Sequence, residues 1–182
     1  ISLIELEFVA EHYLKEHNLK WSFKGYEWFP ANLCLSVNDC VVHGIPDEYI
    51  LKNGDVLKID CWVTYNGWIT DSAITVIIWG EVANPLGYDL DKATKKWLDE
   101  AIKYIWPGKA IFEYSHNVYQ IITNAWFSVL GKLTGHGVGS KVHEAPHIYN
   151  IPNPEMKKIF FQPGMVLAFE PITAVTSTDF IS

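Results

Sequence analysis

The sequence predicts an α+β fold, on three observations. Apolar residues recur at helical spacing over residues 3–19, 89–105 and about 112–125. Two β-rich runs flank Asn66-Gly67, the strongest short signal for a hairpin. Helices and antiparallel pairs follow one another in mixed order, without strict strand–helix alternation. The chain has 182 residues, 49% of them hydrophobic. That length suits a single domain spanning residues 1–182 and buries a real core.

Each element has a local reason. In residues 3–19, Leu3, Leu6, Val9, Ala10, Tyr13 and Leu14 line one helical stripe. Residues 33–43 alternate as a strand does, with a turn signal at Asn38-Asp39. Val56 to Tyr65 and Trp68 to Trp79 form the two arms of the hairpin. The helical segments 89–105 and 112–125 are split by Pro107-Gly108. Leu130 to Thr134, His143 to Ile148 and Met165 to Thr173 read as strands.

Composition narrows the function. A net charge of −7, a pI near 5.4 and no basic block argue against a nucleic-acid or anionic-membrane binder. Lysine alone accounts for all 14 basic residues, so the chain has no arginine and no bidentate guanidinium clamp. Three cysteines without C-x-x-C spacing argue against a disulfide framework and fit a reducing cytoplasm. No apolar run has the length of a transmembrane helix, and no signal-peptide pattern opens the chain. The chain starts at Ile1 and stops at Ser182 just after a strand-like run, which reads as a fragment cut at both ends.

One internal echo stands out. Gly54-Asp-Val-Leu-Lys-Ile-Asp60 and Gly164-Met-Val-Leu-Ala-Phe-Glu170 share the pattern G-x-V-L-x-apolar-acid, 110 residues apart. Both follow a turn signal, and both put a carboxylate in an otherwise apolar strand. The content suggests two halves related by a rough internal symmetry.

The carboxylates are the first candidates for chemistry. With Asn66-Gly67 as a two-residue turn, cross-strand partners have numbers that sum to 133, so Asp71 faces position 62. Position 62 shares a face with Asp60, because side chains alternate along a strand. The two carboxylates are then diagonal neighbours, roughly 7–8 Å apart at Cα. Like charges at that range need a cation between them or a raised pKa; an ordinary solvated hairpin face is the other reading. His136 in Gly-His-Gly-Val-Gly, His143 in His-Glu-Ala-Pro, Glu170 before Pro171, and His43 before Gly-Ile-Pro add imidazole and carboxylate donors. Such a set suits first-row hydrolytic ions such as Mn, Fe, Co or Zn.

Asn32-Leu-Cys-Leu-Ser-Val-Asn-Asp-Cys-Val-Val-His-Gly-Ile-Pro46 resembles the signature stretch of type I methionine aminopeptidases. The order Asp60, Asp71, Gly-His136-Gly, His143-Glu and Glu170-Pro171 is similar to theirs, and the resemblance runs from about residue 25 to 175. It implies the pita-bread fold, two pseudo-twofold-related halves around a curved antiparallel sheet. It implies two divalent ions (Co, Mn, Fe or Zn) held by Asp60, Asp71, His136 and Glu170, one of the aspartates bridging. It implies that His43 and His143 hydrogen-bond the scissile amide and its oxyanion, and that Glu170 takes the proton of the attacking water. Tyr26, Phe29 and Cys34 match positions lining the pocket for the first side chain, an unbranched thioether. The implied substrates are N-terminal Met peptides and nascent chains at the ribosome, the implied state a cytoplasmic monomer.

The sequence departs from the family pattern in two ways. A second glutamate ligand, expected on a later strand, falls beyond Ser182. Trp28, Trp62 and Trp126 stand where family members usually have Gly (or, at 62, Gly or Thr). Two readings remain open there: a divergent protein with enlarged aromatic packing, or glycine codons UGA written as tryptophan. An Xaa-Pro aminopeptidase or dipeptidase of the same fold is the rival enzyme, disfavoured by the Ser36 to Pro46 stretch. A non-catalytic pita-bread binding module is the rival of another class.

Overall fold

The computed structural model describes residues 1–179, which form two compact units. The first comprises Ile1–Tyr88 and returns for Gly139–Val142; the second comprises Asp89–Val138 and the chain from His143 onward.

The first unit opens with α1, Leu3–Glu16. A capping box starts it: the Glu5 N–H donates to Ser2 Oγ at 3.3 Å, and the Ser2 N–H donates to the Glu5 carboxylate at 2.7 Å. The helix stops three residues before the predicted end because Asn18 turns left-handed, at φ 54°. Four strands follow: β1, Lys20–Trp21; β2, Leu33–Val37; β3, Val56–Tyr65; and β4, Trp68–Ile77. All pairings are antiparallel, with β3 central: β4 runs along one edge, while β2 and β1 share the other. Leu3, Leu33, Leu35 and Leu57 form the buried core between α1 and the sheet. The buried Glu7 carboxylate is fully engaged there, accepting from the backbone N–H groups of Asn32 (2.7 Å) and Leu33 (2.9 Å) and from the Asn32 amide (2.6 Å).

The predicted strand 33–43 is shorter than expected. Asn38 adopts φ 50°, and the Cys40 N–H closes a turn on the Val37 carbonyl at 3.0 Å, so the ladder ends at Val37. A short α2, Gly80–Ala83, follows β4.

Helix α3, Pro85–Ile102, carries the chain into the second unit, and α4, Ile111–Asn124, follows the Pro107-Gly108 break. Ile111, Tyr114, Val118 and Ile122 lie on one face of α4 and are buried with Trp97, Ala101, Ile148 and Phe161. The strands here are short: β5, Ser128–Val129; β6, Thr134–Gly137; β7, Glu144–Tyr149; β8, Leu167–Ala168; and β9, Thr173–Ala174. β6 lies between β7 and β8, and β5 pairs with β9. The run predicted as one strand from Met165 to Thr173 is therefore two. Pro171 between them has no N–H to give a ladder.

The sequence echo has a backbone counterpart. Gly54 and Gly164 take nearly the same left-handed φ, 89° and 88°, each at a turn leading into an apolar strand. Only glycine adopts that conformation without cost.

Candidate functional site

In the first unit the Asn-Gly hairpin has the register derived from its turn. Trp62 pairs with Asp71 and Asp60 with Ala73, without interruption from Val56 to Tyr65. Asp60 and Asp71 are thus half-buried diagonal neighbours on one face. On the other edge Cys34 pairs with Asp60, which puts the thiol in the same row as the carboxylate.

Tyr26, Phe29 and Cys34, the three predicted pocket residues, do come together. They form an apolar cup with Phe23, Ile69 and Val142. Phe23 and Val142 carry no signal in the sequence, because nothing local marks them as neighbours of Cys34. Burial, reinforced by the Asp60 carboxylate, pushes the Cys34 thiol up to about 11, so the cup is lined by a neutral thiol at physiological pH. The cup is filled. Trp62 is 4% exposed, stacks on Phe23 at 3.7 Å between ring centroids and meets Tyr26 edge-on at 5.2 Å. The strand makes no bulge to move the indole elsewhere.

His43 stands at the rim of β2 on a constrained loop. It takes φ 58° and is exposed. The following Gly44 is wedged against β2: an added Cβ would lie 2.3 Å from the Leu35 carbonyl oxygen. Its carbonyl accepts from the Leu35 N–H at 2.8 Å, and its N–H donates to Ser36 Oγ at 3.0 Å.

In the second unit the Gly-His-Gly segment is strand β6, and its glycines are explained by close approach. A Cβ on Gly135 would lie 2.1 Å from the Ala168 carbonyl oxygen, and one on Gly137 2.4 Å from that of Ala145. Both neighbouring strands therefore press against β6, leaving His136 as its one side chain of size. Its ring is buried and lies edge-on to the exposed His143 ring, with centroids 4.3 Å apart.

The His136 ring has a defined proton. Nδ1 is 2.9 Å from the Gly137 carbonyl, which can only accept, so Nδ1 carries the hydrogen. In the neutral ring Nε2 then holds a lone pair, and the buried Glu170 Oε1 lies 3.1 Å from it. Two acceptors at that distance repel unless a proton or a cation joins them. Imidazole nitrogen plus carboxylate oxygen is a donor set for a divalent first-row ion, so these residues fit a metal. Glu170 is placed from behind: the Asn150 amide donates to its carbonyl at 2.6 Å, and the Tyr114 hydroxyl donates to the Asn150 side chain at 3.4 Å. Burial, with the Glu170 charge adding to it, pushes the Tyr114 phenol well above its ordinary range, so it stays a donor. Asn150 and Tyr114 escaped sequence reasoning; an Asn in Tyr-Asn-Ile-Pro has no pattern that marks it.

Comparison with known proteins gives a consistent result. The model of metallopeptidase family M24 matches residues 1–180. Methionine aminopeptidase 1 of Bacillus subtilis is 39% identical over 94% of this chain and 68% of its own length. The methionine aminopeptidase of Clostridium perfringens is 36% identical, covering 97% of this chain and 70% of its own. The crystal structure of a methionine aminopeptidase from Thermotoga maritima superposes with a TM-score of 0.93 at 32% identity, covering 99% of this chain and 72% of that one.

Proposed function

This chain belongs to metallopeptidase family M24, and on that premise we propose that it is a metal-dependent aminopeptidase of the pita-bread fold that removes N-terminal methionine from polypeptides. The observation that carries the metal is the His136–Glu170 pair: an imidazole nitrogen and a buried carboxylate oxygen 3.1 Å apart. Asp60 and Asp71 of the hairpin would join His136 and Glu170 as ligands of two divalent ions, drawn from Co, Mn, Fe and Zn. When bound, such ions lower the pKa of water toward neutrality and neutralise charge developing on the scissile carbonyl.

The chain's own residues have distinct tasks in this reading. Glu170 accepts the proton of the attacking water. His43 and His143 donate hydrogen bonds to the scissile amide and its oxyanion. Tyr26, Phe29 and the neutral Cys34 thiol receive an unbranched, apolar, polarisable side chain, which suits methionine. A single family model running through residues 1–180 supports one catalytic domain. Among the described residues no helix is long and apolar enough to cross a membrane. Nascent chains at the ribosome are the proposed substrates, for a monomer working in the cytoplasm.

The test uses the full-length protein loaded with Mn²⁺ or Co²⁺. It should release methionine from a Met-Ala-initiated peptide, lose that activity to a chelator and regain it on metal return. Preferential cleavage of an Xaa-Pro dipeptide would assign the prolidase-type activity. A protein that binds no metal and cleaves neither peptide would be a binding module.

A further inference from the structure

The backbone of this chain treats three of its tryptophans as glycines. Trp28, Trp79 and Trp126 take φ of 70°, 65° and 67°. Side chains with a Cβ rarely adopt that region, and for a bulky residue it is an outlier. Such strain persists where surrounding packing forces it. Here there is no such packing: the three side chains are 95%, 78% and 91% exposed. The other left-handed residues with a side chain are Asn18, Asn38, Asn66, Glu27 and His43, and asparagine is the type that tolerates the region.

Trp126 makes the case in detail. It follows the C-cap Ala125 of α4. Its N–H donates to the Thr123 carbonyl at 3.1 Å, and the next N–H, of Phe127, donates to Ile122 at 3.4 Å. That pair of bonds is a Schellman motif, whose left-handed residue is glycine by preference because only glycine pays no Cβ penalty. Trp79 enters α2 immediately before the left-handed Gly80, so two consecutive residues need positive φ. Trp28 likewise follows the left-handed Glu27 in the tight turn that Gly25 closes onto Phe29 at 2.8 Å.

We infer that positions 28, 79 and 126 carry glycine in the protein as its own ribosomes make it, their codons being UGA read as glycine. A coincidence of three independent substitutions to the same bulky residue is replaced by one cause, since UGA differs from the tryptophan codon UGG only in its third base. Trp97 is the contrast. It lies inside helix α3, where the backbone is right-handed and asks for no glycine, and it packs in the second core, so UGG is the codon expected there.

Position 62 joins them on separate ground that rests on the proposed function. The cup of Phe23, Tyr26, Phe29 and Cys34 can take a substrate side chain only when the Trp62 indole is absent. Glycine there opens the cup and leaves the β3–β4 register intact.

Three measurements test the inference on the full-length gene and protein. The gene should show UGA at codons 28, 62, 79 and 126 and UGG at codon 97; UGG at 28, 79 or 126 overturns it, and UGG at 62 overturns the pocket part. Replacing Trp28, Trp79 and Trp126 together by Gly should raise Tm by about 5 °C. A Tm that stays level or falls refutes the glycine assignment. Trp62→Gly, with metal bound, should raise kcat/KM on a Met-initiated peptide at least tenfold, and an unchanged value rejects the blocked cup. If neither protein cleaves the peptide, the proposed function fails, while the codons and Tm still decide the glycine inference.

Discussion

Replacing Gly135 by alanine tests how the second unit holds His136 beside Glu170. The new Cβ would lie 2.1 Å from the Ala168 carbonyl oxygen, about 1.3 Å inside an ordinary contact. The obstacle is backbone, so no side chain can swing away; β6 and β8 must part by about 1 Å. Overpacking of this kind costs roughly 1–3 kcal/mol. For a chain of this size that lowers Tm by about 2–12 °C. The functional cost is larger. His136 pairs directly with Ala168, and Glu170 lies two residues further on. If the pair holds the metal as proposed, a displacement of about 1 Å between its members is worth about 100-fold in rate. The assay is thermal unfolding with and without Mn²⁺, together with kcat on a Met-initiated peptide, in the full-length protein. On the proposed ligand assignment, the metal-induced rise in Tm should shrink in the variant as His136 and Glu170 move apart. Gly108→Ala is the control: its φ is 86° but an added Cβ meets nothing within 4 Å. It should lose about 1 kcal/mol of stability and keep its kcat. A Gly135→Ala protein with unaltered Tm and full activity would show that β8 does not fix Glu170 against His136.

Two further outcomes concern the proposed substrate histidines and Asp55, a buried carboxylate of the first unit. His143→Ala and His43→Ala should each lower kcat at least tenfold and leave metal stoichiometry intact; loss of metal in the His143→Ala protein would make that residue a ligand. Asp55 is buried, which alone would raise its pKa, but the Lys52 N–H, the Asn38 amide and the Tyr49 hydroxyl all donate to it and hold it below the usual carboxylate range. A depressed carboxylate stabilises the fold at pH values above its unfolded pKa of about 3.9, and the contribution is lost as pH falls through the folded value. Asp55→Asn should therefore cost about 2 kcal/mol at pH 7 in urea unfolding, with the gap from wild type closing below about pH 4; a gap constant down to pH 3 would contradict the assignment.

The parts of the site that could be read from the sequence are those governed by local rules. An Asn-Gly turn and period-2 alternation were enough to place Asp60 and Asp71 on one face, and the observed register pairs Trp62 with Asp71 as that arithmetic requires. The echo around Gly54 and Gly164 was legible because a turn glycine, an apolar strand and a terminal acid leave a compositional trace. The helix over residues 112–125 was legible from its apolar stripe, and it begins one residue earlier, at Ile111. The supports were not legible. Asn150 reaches the Glu170 carbonyl across 20 residues, and Val142 joins Cys34 in the cup across more than a hundred; neither contact has a local pattern. The strand expected over 33–43 ends at Val37 because a single left-handed Asn38 stops the ladder, and Asn occurs within strands as well as at their ends.

The first unit is not continuous in the chain, and this bears on the order of events during synthesis. Its main body ends at Tyr88, yet Gly139–Val142 belongs to it. The Gly139 carbonyl accepts from the Ile69 N–H at 2.8 Å, and Val142 is one wall of the aromatic cup. Between Tyr88 and Val142 a ribosome must add 54 residues, which takes roughly 3–10 s at ordinary elongation rates. For that interval the hairpin can zip and α1 can dock, since those contacts are already available. The cup stays open on one side, with Phe23 and Cys34 awaiting Val142. A chain released before residue 142 therefore leaves uncovered the apolar side of the cup that Val142 walls in the finished protein, and truncated products of this gene should be recognised by hydrophobic-surface chaperones until that four-residue return is complete.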